Sequence, residues 1–265
     1  MPVELPTSPD RTPLIRSPLS LVVCQIRYET NLAVGEPQTA RTFHDAIGGR
    51  HGAYSKVVPI SGVAVNLALA PSSEPSVSQR QALGGWRFAA EDDSVVVSLM
   101  PDHVAIETSA YTTWEDDFRR RLHDVLHATA EFVNPVFEQR LGLRYINQLA
   151  EPDVQEPQHW ERWIAPELLG ALLHPMLGSG VLFSRQQLSL DLGESRFCTL
   201  NHGFAPDPAR EGMLTYLLDY DVYREGQRPF DVSDIETTAD KFNTDSLALF
   251  QTSVTSALLD HCAQP

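Results

Sequence analysis

This chain has almost no lysine. Of its 20 basic residues only Lys56 and Lys241 are lysines. No G-x-x-x-x-G-K-[ST] motif is present, and with one lysine in each half none stands near a glycine-rich turn to serve a phosphate cradle. G-x-G-x-x-G and G-x-S-x-G are missing too, which removes the usual dinucleotide fingerprint and the nucleophile elbow. Cysteine is scarce: Cys24, Cys198 and Cys262 are odd in number, widely spaced and form no C-x-x-C pair. That predicts no disulfide framework and a reducing, cytoplasmic setting. The start of the chain has no apolar segment after a basic one, so no secretory signal is expected. The uncharged run Leu168 to Ser184 is too short for a bilayer and is interrupted by His174, Pro175, Gly178 and Gly180. Positive charge is lacking as well. A net charge of −15 disfavours nucleic acid and anionic membranes, which repel a negative surface. It leaves room for a basic protein partner, although an acidic surface commonly does no more than keep a protein in solution.

What is present reads as a globular α+β protein. The 265 residues are 42% hydrophobic and 21% charged, enough to bury a core. Residues 1–16, rich in proline, are expected as a flexible tail. Leu19–Tyr28 (LSLVVCQIRY) reads as a strand, and Thr39–Ile47 as a short helix stopped by Gly48-Gly49. Residues 56–69 suit a further strand, and 70–85 read as a loop by composition. Strands at 86–91, 94–100 and 103–109 follow, turning at Asp92-Asp93 and Pro101-Asp102. The helix after them is the clearest of the first half. Thr112 or Thr113 can cap it, and Glu115, Asp116 and Asp117 match the positive end of its dipole. Trp114, Phe118, Leu122, Val125, Thr129, Phe132 and Val133 fall on an apolar stripe roughly 100° wide.

The second half repeats the order. A strand at 138–149 precedes helical residues around Pro166, at 160–173. Strands at about 182–192, 195–204 and 212–224 come next, then a terminal helical region that Ser233 and Glu236 could cap as a box. Its later part carries Leu247, Phe250, Val254, Ala257 and Leu258 on one face. Ile26–Tyr28 (I-R-Y) and Leu143–Tyr145 (L-R-Y) are offset by 117, and the helix starts at Thr113 and Asp231 by 118. The expected architecture is a duplicated β-α-β-β-β-α unit, 17–134 and 135–265, forming antiparallel sheets with helices packed on one face in one pseudo-symmetric domain.

The run Arg140–Asn147 (RLGLRYIN) carries an R-x-G-L-R-Y-I-N signature. On it, the chain resembles a sporadically distributed bacterial protein family of unassigned function and roughly this length. Pro18–Tyr28 and Leu218–Tyr223 (LDYDVY) are similar to weaker flanking patterns of that family. The resemblance brings no catalytic residue. Its patchy distribution implies an accessory rather than a housekeeping role.

Strand periodicity makes the signature informative. Leu141, Leu143, Tyr145 and Asn147 point one way, and Arg140, Gly142, Arg144 and Ile146 the other. In 218–223, Leu218, Tyr220 and Val222 oppose Asp219 and Asp221. If the apolar sets face the helices, two arginines and two aspartates share an open sheet face. They form either a cross-strand ion-pair ladder, the favoured reading, or a binding site. Gly142 beside Arg144 leaves space for a long side chain to lie along the sheet. His202, in Asn201-His202-Gly203 at a strand end, is a candidate base without an orienting partner in the sequence. His123 and His127 stand one helical turn apart with the spacing of a metal pair, on the solvent side of their helix. Asp124 replaces the glutamate of a zinc protease, and the sequence names no third ligand, so no metal site is expected. Trp160 and Trp163 read as core.

No catalytic set and no cofactor site can be assembled. The expectation is a non-enzymatic accessory protein that binds a protein partner, or another copy of itself, through its open sheet face or acidic surface. The alternative is a small-molecule sensor or enzyme with a pocket between the repeats, using Arg140, Arg144, Asn147, His202, Asp219 and Asp221.

Overall fold

A computed structural model describes residues 1–68, 76–151, 153–207, 210 and 212–264, with backbone alone at 50, 61–68 and 76–83. Nine antiparallel strands form one sheet: β1 (Leu19–Tyr28), β2 (Lys56–Ala68), β3 (Ser76–Ala89), β4 (Val95–Met100), β5 (His103–Thr108), β6 (Phe137–Leu149), β7 (Gln186–Gly193), β8 (Arg196–Pro206) and β9 (Leu214–Pro229). Their order is β2-β3-β4-β5-β1-β6-β9-β8-β7, so a single sheet replaces the separate sheets expected from the sequence. β1 and β6 meet at its centre, with Cys24 opposite Leu143 and Arg27 opposite Arg140. Outward from there the order is β5-β4-β3 on one side and β9-β8-β7 on the other, and β2 adds an edge to the first half.

One face of this sheet is dry. Val22, Cys24, Ile26 and Tyr28 of β1 are buried, as are Leu141, Leu143 and Tyr145 of β6 and Leu218, Tyr220 and Val222 of β9. Helices α1 (Pro37–Ala46), α2 (Arg119–Ala128), α4 (Val232–Ser253) and α5 (Ser256–Ala263) and the short α3 (Pro166–Leu169) contribute to the same core. A buried leucine or phenylalanine side chain is worth about 1.5–3 kcal/mol, so this shared face dominates the stability. α2 is extended by π-turns at Trp114–Phe118 and Thr129–Val133. Thr113 caps the first, accepting from the Asp116 amide at 3.1 Å. Six of the seven stripe residues are buried, Phe132 remaining partly exposed. Asn134 ends the helix in the left-handed region, before Pro135.

Several local expectations need correction. Residues 76–85 are part of β3, not loop: a serine- and glutamine-rich stretch extends because β2 supplies its hydrogen bonds. Residues 70–75 of that expected loop, and residue 69 of the strand expected before it, lie outside the described residues. The segment 160–173 is no continuous helix but 3-10 turns at Pro157–Arg162 and Gly170–Leu173 around α3, since Pro166 and Gly170 interrupt it. Asp231, not Ser233, caps α4, accepting from the Asp234 amide at 3.0 Å. Extended Val254 breaks the terminal helix and bridges Ile164; Leu247 is only partly buried, while Leu249, Phe250, Val254 and Leu258 enter the core.

Residues 1–16, expected as a flexible tail, are tied along the molecule. The Val3 amide donates to the Asp191 carbonyl of β7 at 2.7 Å, and the Arg16 amide to Cys262 at 2.9 Å. Asp10 and Gln251 exchange two hydrogen bonds. Leu5 and Leu14 pack against the core, so proline content here marks extended chain rather than a free end.

Candidate functional site

The signature strand presents two chemistries, one on each face. On the open face, Arg144 donates from Nε and Nη2 to both carboxylate oxygens of Asp219, each at 2.7 Å. Arg140 donates to Asp221 at 2.8 Å and reaches Glu225 at 3.5 Å. The pairing follows from β6 lying beside β9, with Arg144 opposite Asp221 and Ile146 opposite Asp219. Arg144 therefore bonds its diagonal neighbour rather than the residue across from it. Asn201 on β8 donates to Asp219 at 3.3 Å, closing a second side of that carboxylate. The Asp219 side chain is 4% exposed, the Arg144 side chain 46%. Hydrogen bonding to Asp219 holds the Arg144 guanidinium above its ordinary pKa.

The space over Gly142 is filled by Arg140, not by Arg144: a Cβ there would sit 2.4 Å from Arg140 Nη1. Arg140 also lies over the Tyr223 ring, 4.7 Å from its centroid. The four open-face residues expected to meet do meet. Each of the four charges has a partner within the chain, which supports the ladder reading over the ligand reading.

Asn147 and His202 belong to the other face. Both stand opposite Leu218, one on each side of β9. Asn147 is buried and donates to the Leu218 carbonyl at 3.3 Å. His202 is buried, with Nδ1 3.0 Å from the Tyr216 hydroxyl and Nε2 without a hydrogen-bond partner. Burial holds its pKa below the ordinary histidine value. Its neighbour is a neutral phenol rather than a carboxylate, so nothing orients it as a base. Gly203 beside it is positive in φ at 142°, and the Ser184 carbonyl would lie 2.0 Å from any Cβ, which reserves the position for glycine.

Under the covered face, β6, β9, α4, the 111–115 segment and the tail enclose a cavity of about 510 Å³. Tyr111, Tyr145, Asn147, Tyr220, Asn243 and Ser246 form its neutral polar lining. Tyr145 donates to Asn243 at 2.8 Å, and its ring meets Tyr111 edge-on at 5.9 Å. Burial pushes the Tyr111 hydroxyl up to about 12 and those of Tyr145 and Tyr220 higher, so all three stay protonated. The buried Ser246 hydroxyl has no hydrogen-bond partner among the described residues. The charged lining residues, Asp10, Arg11 and Glu115, are all exposed; Arg11 of the tail donates to Glu115 at 3.1 Å and to Thr244 at 2.8 Å. No histidine or cysteine lines the cavity among the described residues.

Of the expected site residues only Asn147 reaches this cavity. Sequence reading missed Tyr111, which precedes α2, and Asn243 and Ser246, which both lie on α4. The available signal was polar residues at buried helical positions: Asn243, Asp245 and Ser246 interrupt the apolar face of α4. It also missed Glu236 of α4, which lies beside the exposed His123–His127 pair. The three cysteines are buried free thiols. No helix among the described residues is long and apolar enough to cross a membrane. No protein-family model matches the chain, and no curated protein matches it at a significant level.

Proposed function

We propose that this chain is a non-enzymatic binding protein that holds a small, uncharged, partly aromatic molecule in the cavity beneath its N-terminal strap. The buried hydroxyl of Ser246, a cavity-lining residue, carries the reading: it has no hydrogen-bond partner among the described residues, and such a group costs about 1–3 kcal/mol. A ligand that bonds it recovers that cost. The cavity volume falls in the range of small-molecule sites, and its mix of apolar surface with a few polar groups matches them. The buried lining residues are uncharged, which favours an uncharged ligand, since a buried ion would lack a counter-charge beside it. Without a nucleophile or an oriented base beside the cavity, binding is favoured over catalysis.

A thermal-shift screen of uncharged aromatic and hydroxylated compounds on wild type and on Ser246→Phe protein tests this. Compounds that stabilise the wild type and not the variant support it. Stabilisation that survives Ser246→Phe moves the ligand elsewhere, and a screen without any stabilising compound removes the reading.

A second reading, binding of a basic protein segment, rests on exposed apolar side chains. Met176, Leu177, Leu182 and Phe183 stand in solvent just before β7, which ends the sheet. Strand addition to that edge is the mode such a surface suits, and the charge of −15 favours a basic partner over nucleic acid. We also propose that the fold arose by duplication. Arg27 pairs with Asp102 on the neighbour side of β1 as Arg144 pairs with Asp219 on that of β6. Both arginine and aspartate are displaced by the same 117 positions. With the R-x-G-L-R-Y-I-N signature, these features support membership of the sporadic bacterial family and an accessory role. The buried free thiols support a cytoplasmic setting.

A further inference from the structure

We infer that His123, His127 and Glu236 form a zinc site that braces α2 against α4, a role independent of the cavity. His123 and His127 occupy successive turns of α2 and both face solvent. Their rings lie with centroids 4.2 Å apart, tilted 55° to one another. Glu236, near the start of α4, points its carboxylate at them: Oε1 lies 2.6 Å from His123 Nδ1. One ligand atom from each of the three lies within 4.8 Å of the other two. Two ligands of a tetrahedral zinc stand about 3.3 Å apart, given metal–ligand distances near 2.0–2.1 Å. Converting one arrangement to the other asks only that the His123–Glu236 bond open slightly and His127 close in. The half-exposed His123 side chain is free to make that adjustment.

The donor set selects the metal. Two imidazoles and one carboxylate suit a first-row transition ion such as Zn²⁺, whereas Ca²⁺ and Mg²⁺ require oxygen ligands. Local charge permits it. Arg119 of α2, which interacts electrostatically with Glu236, is held by both oxygens of Asp240, at 2.9 and 3.1 Å. The fourth position is open to solvent and would take water. α2 closes the first half of the chain and α4 the second, so a bound ion would link elements 113 residues apart in sequence at His123 and Glu236. The His123–Glu236 hydrogen bond keeps the carboxylate in place without metal, which makes the site ready-formed rather than dependent on folding around the ion.

Isothermal titration of chelator-stripped full-length protein with Zn²⁺, and with Co²⁺ followed by visible absorption, tests the assignment. The expected result is one ion per chain, a four-coordinate Co²⁺ spectrum and a zinc-dependent rise in Tm. His127→Ala should lose affinity by more than about tenfold with little change in the metal-free Tm, because the His127 side chain makes no hydrogen bond among the described residues. Glu236→Gln should do the same and abolish the zinc-dependent rise. If wild type takes up no ion, or if both variants bind it as wild type does, the site is not formed by these residues and the inference fails.

Discussion

The two faces of the central sheet solve the same problem differently. β6 and β9 carry an arginine–carboxylate pair on each side. On the covered face Arg224 grips Glu138 through two bonds of 2.9 and 2.7 Å and also donates to Thr238 and Asp234. Glu138 is fully buried and Arg224 nearly so. On the open face Arg144 grips Asp219 with equal geometry, but the guanidinium is half in water. Further along, the Arg27–Asp102 pair is a single 3.5 Å contact between exposed groups. The three pairs form a series in which chemistry is constant and solvent access changes. It is access, not charge, that sets what each contributes.

The largest effect is expected on the covered face. Arg224→Met should strand Glu138 among apolar side chains and cost about 3–5 kcal/mol in a denaturant-unfolding measurement. A loss below about 1 kcal/mol would mean that water reaches Glu138, and the contrast between faces would collapse. Arg144→Met comes next, at about 1–3 kcal/mol, because Asp219 is buried while Asn201 still donates to it. Pairing it with Asp219→Asn in a double-mutant cycle should give a total smaller than the sum of the single changes. Strict additivity would show that the two do not interact and would free Arg144 to bind something outside the chain.

His202 tests the covered face through pH. Burial depresses its folded pKa below the ordinary histidine value of about 6.5, so between those values the unfolded chain binds a proton that the folded chain refuses. Stability should therefore be complete above about pH 6.5 and fall as pH drops through that value toward the folded pKa. His202→Gln should flatten this part of the stability–pH curve; an unchanged slope would mean that other groups produce it. The smallest effect belongs to Arg27→Met, about 0–1 kcal/mol and weaker still in high salt. A larger loss there would blur the distinction between the matching pairs of the two halves.

Much of this was legible in the residues. The alternation in Arg140–Gln148 and Leu218–Tyr223 assigned each side chain to its face, because a strand turns successive side chains to opposite sides wherever it sits. The α2 stripe, its Thr113 cap and its acidic first turn were legible for the same local reason. The α4 cap was misread because Asp231 and Ser233 are both good caps, and only the point where the chain leaves β9 selects between them.

Tertiary structure decided the rest. That β6 lies beside β9 is a matter of strand order, and it alone turned four charged residues into two bonded pairs. The same placement chose Asp219 rather than the directly opposed Asp221 for Arg144, and gave the space over Gly142 to Arg140. The cavity needed the tail, the 111–115 segment and α4 to converge, and the histidine pair needed Glu236 from a helix far along the chain. Periodicity is a property of a few neighbouring residues and can be read from them. Contact between distant segments depends on which arrangement of the whole chain buries the most apolar surface with its charges paired, and no local pattern records that.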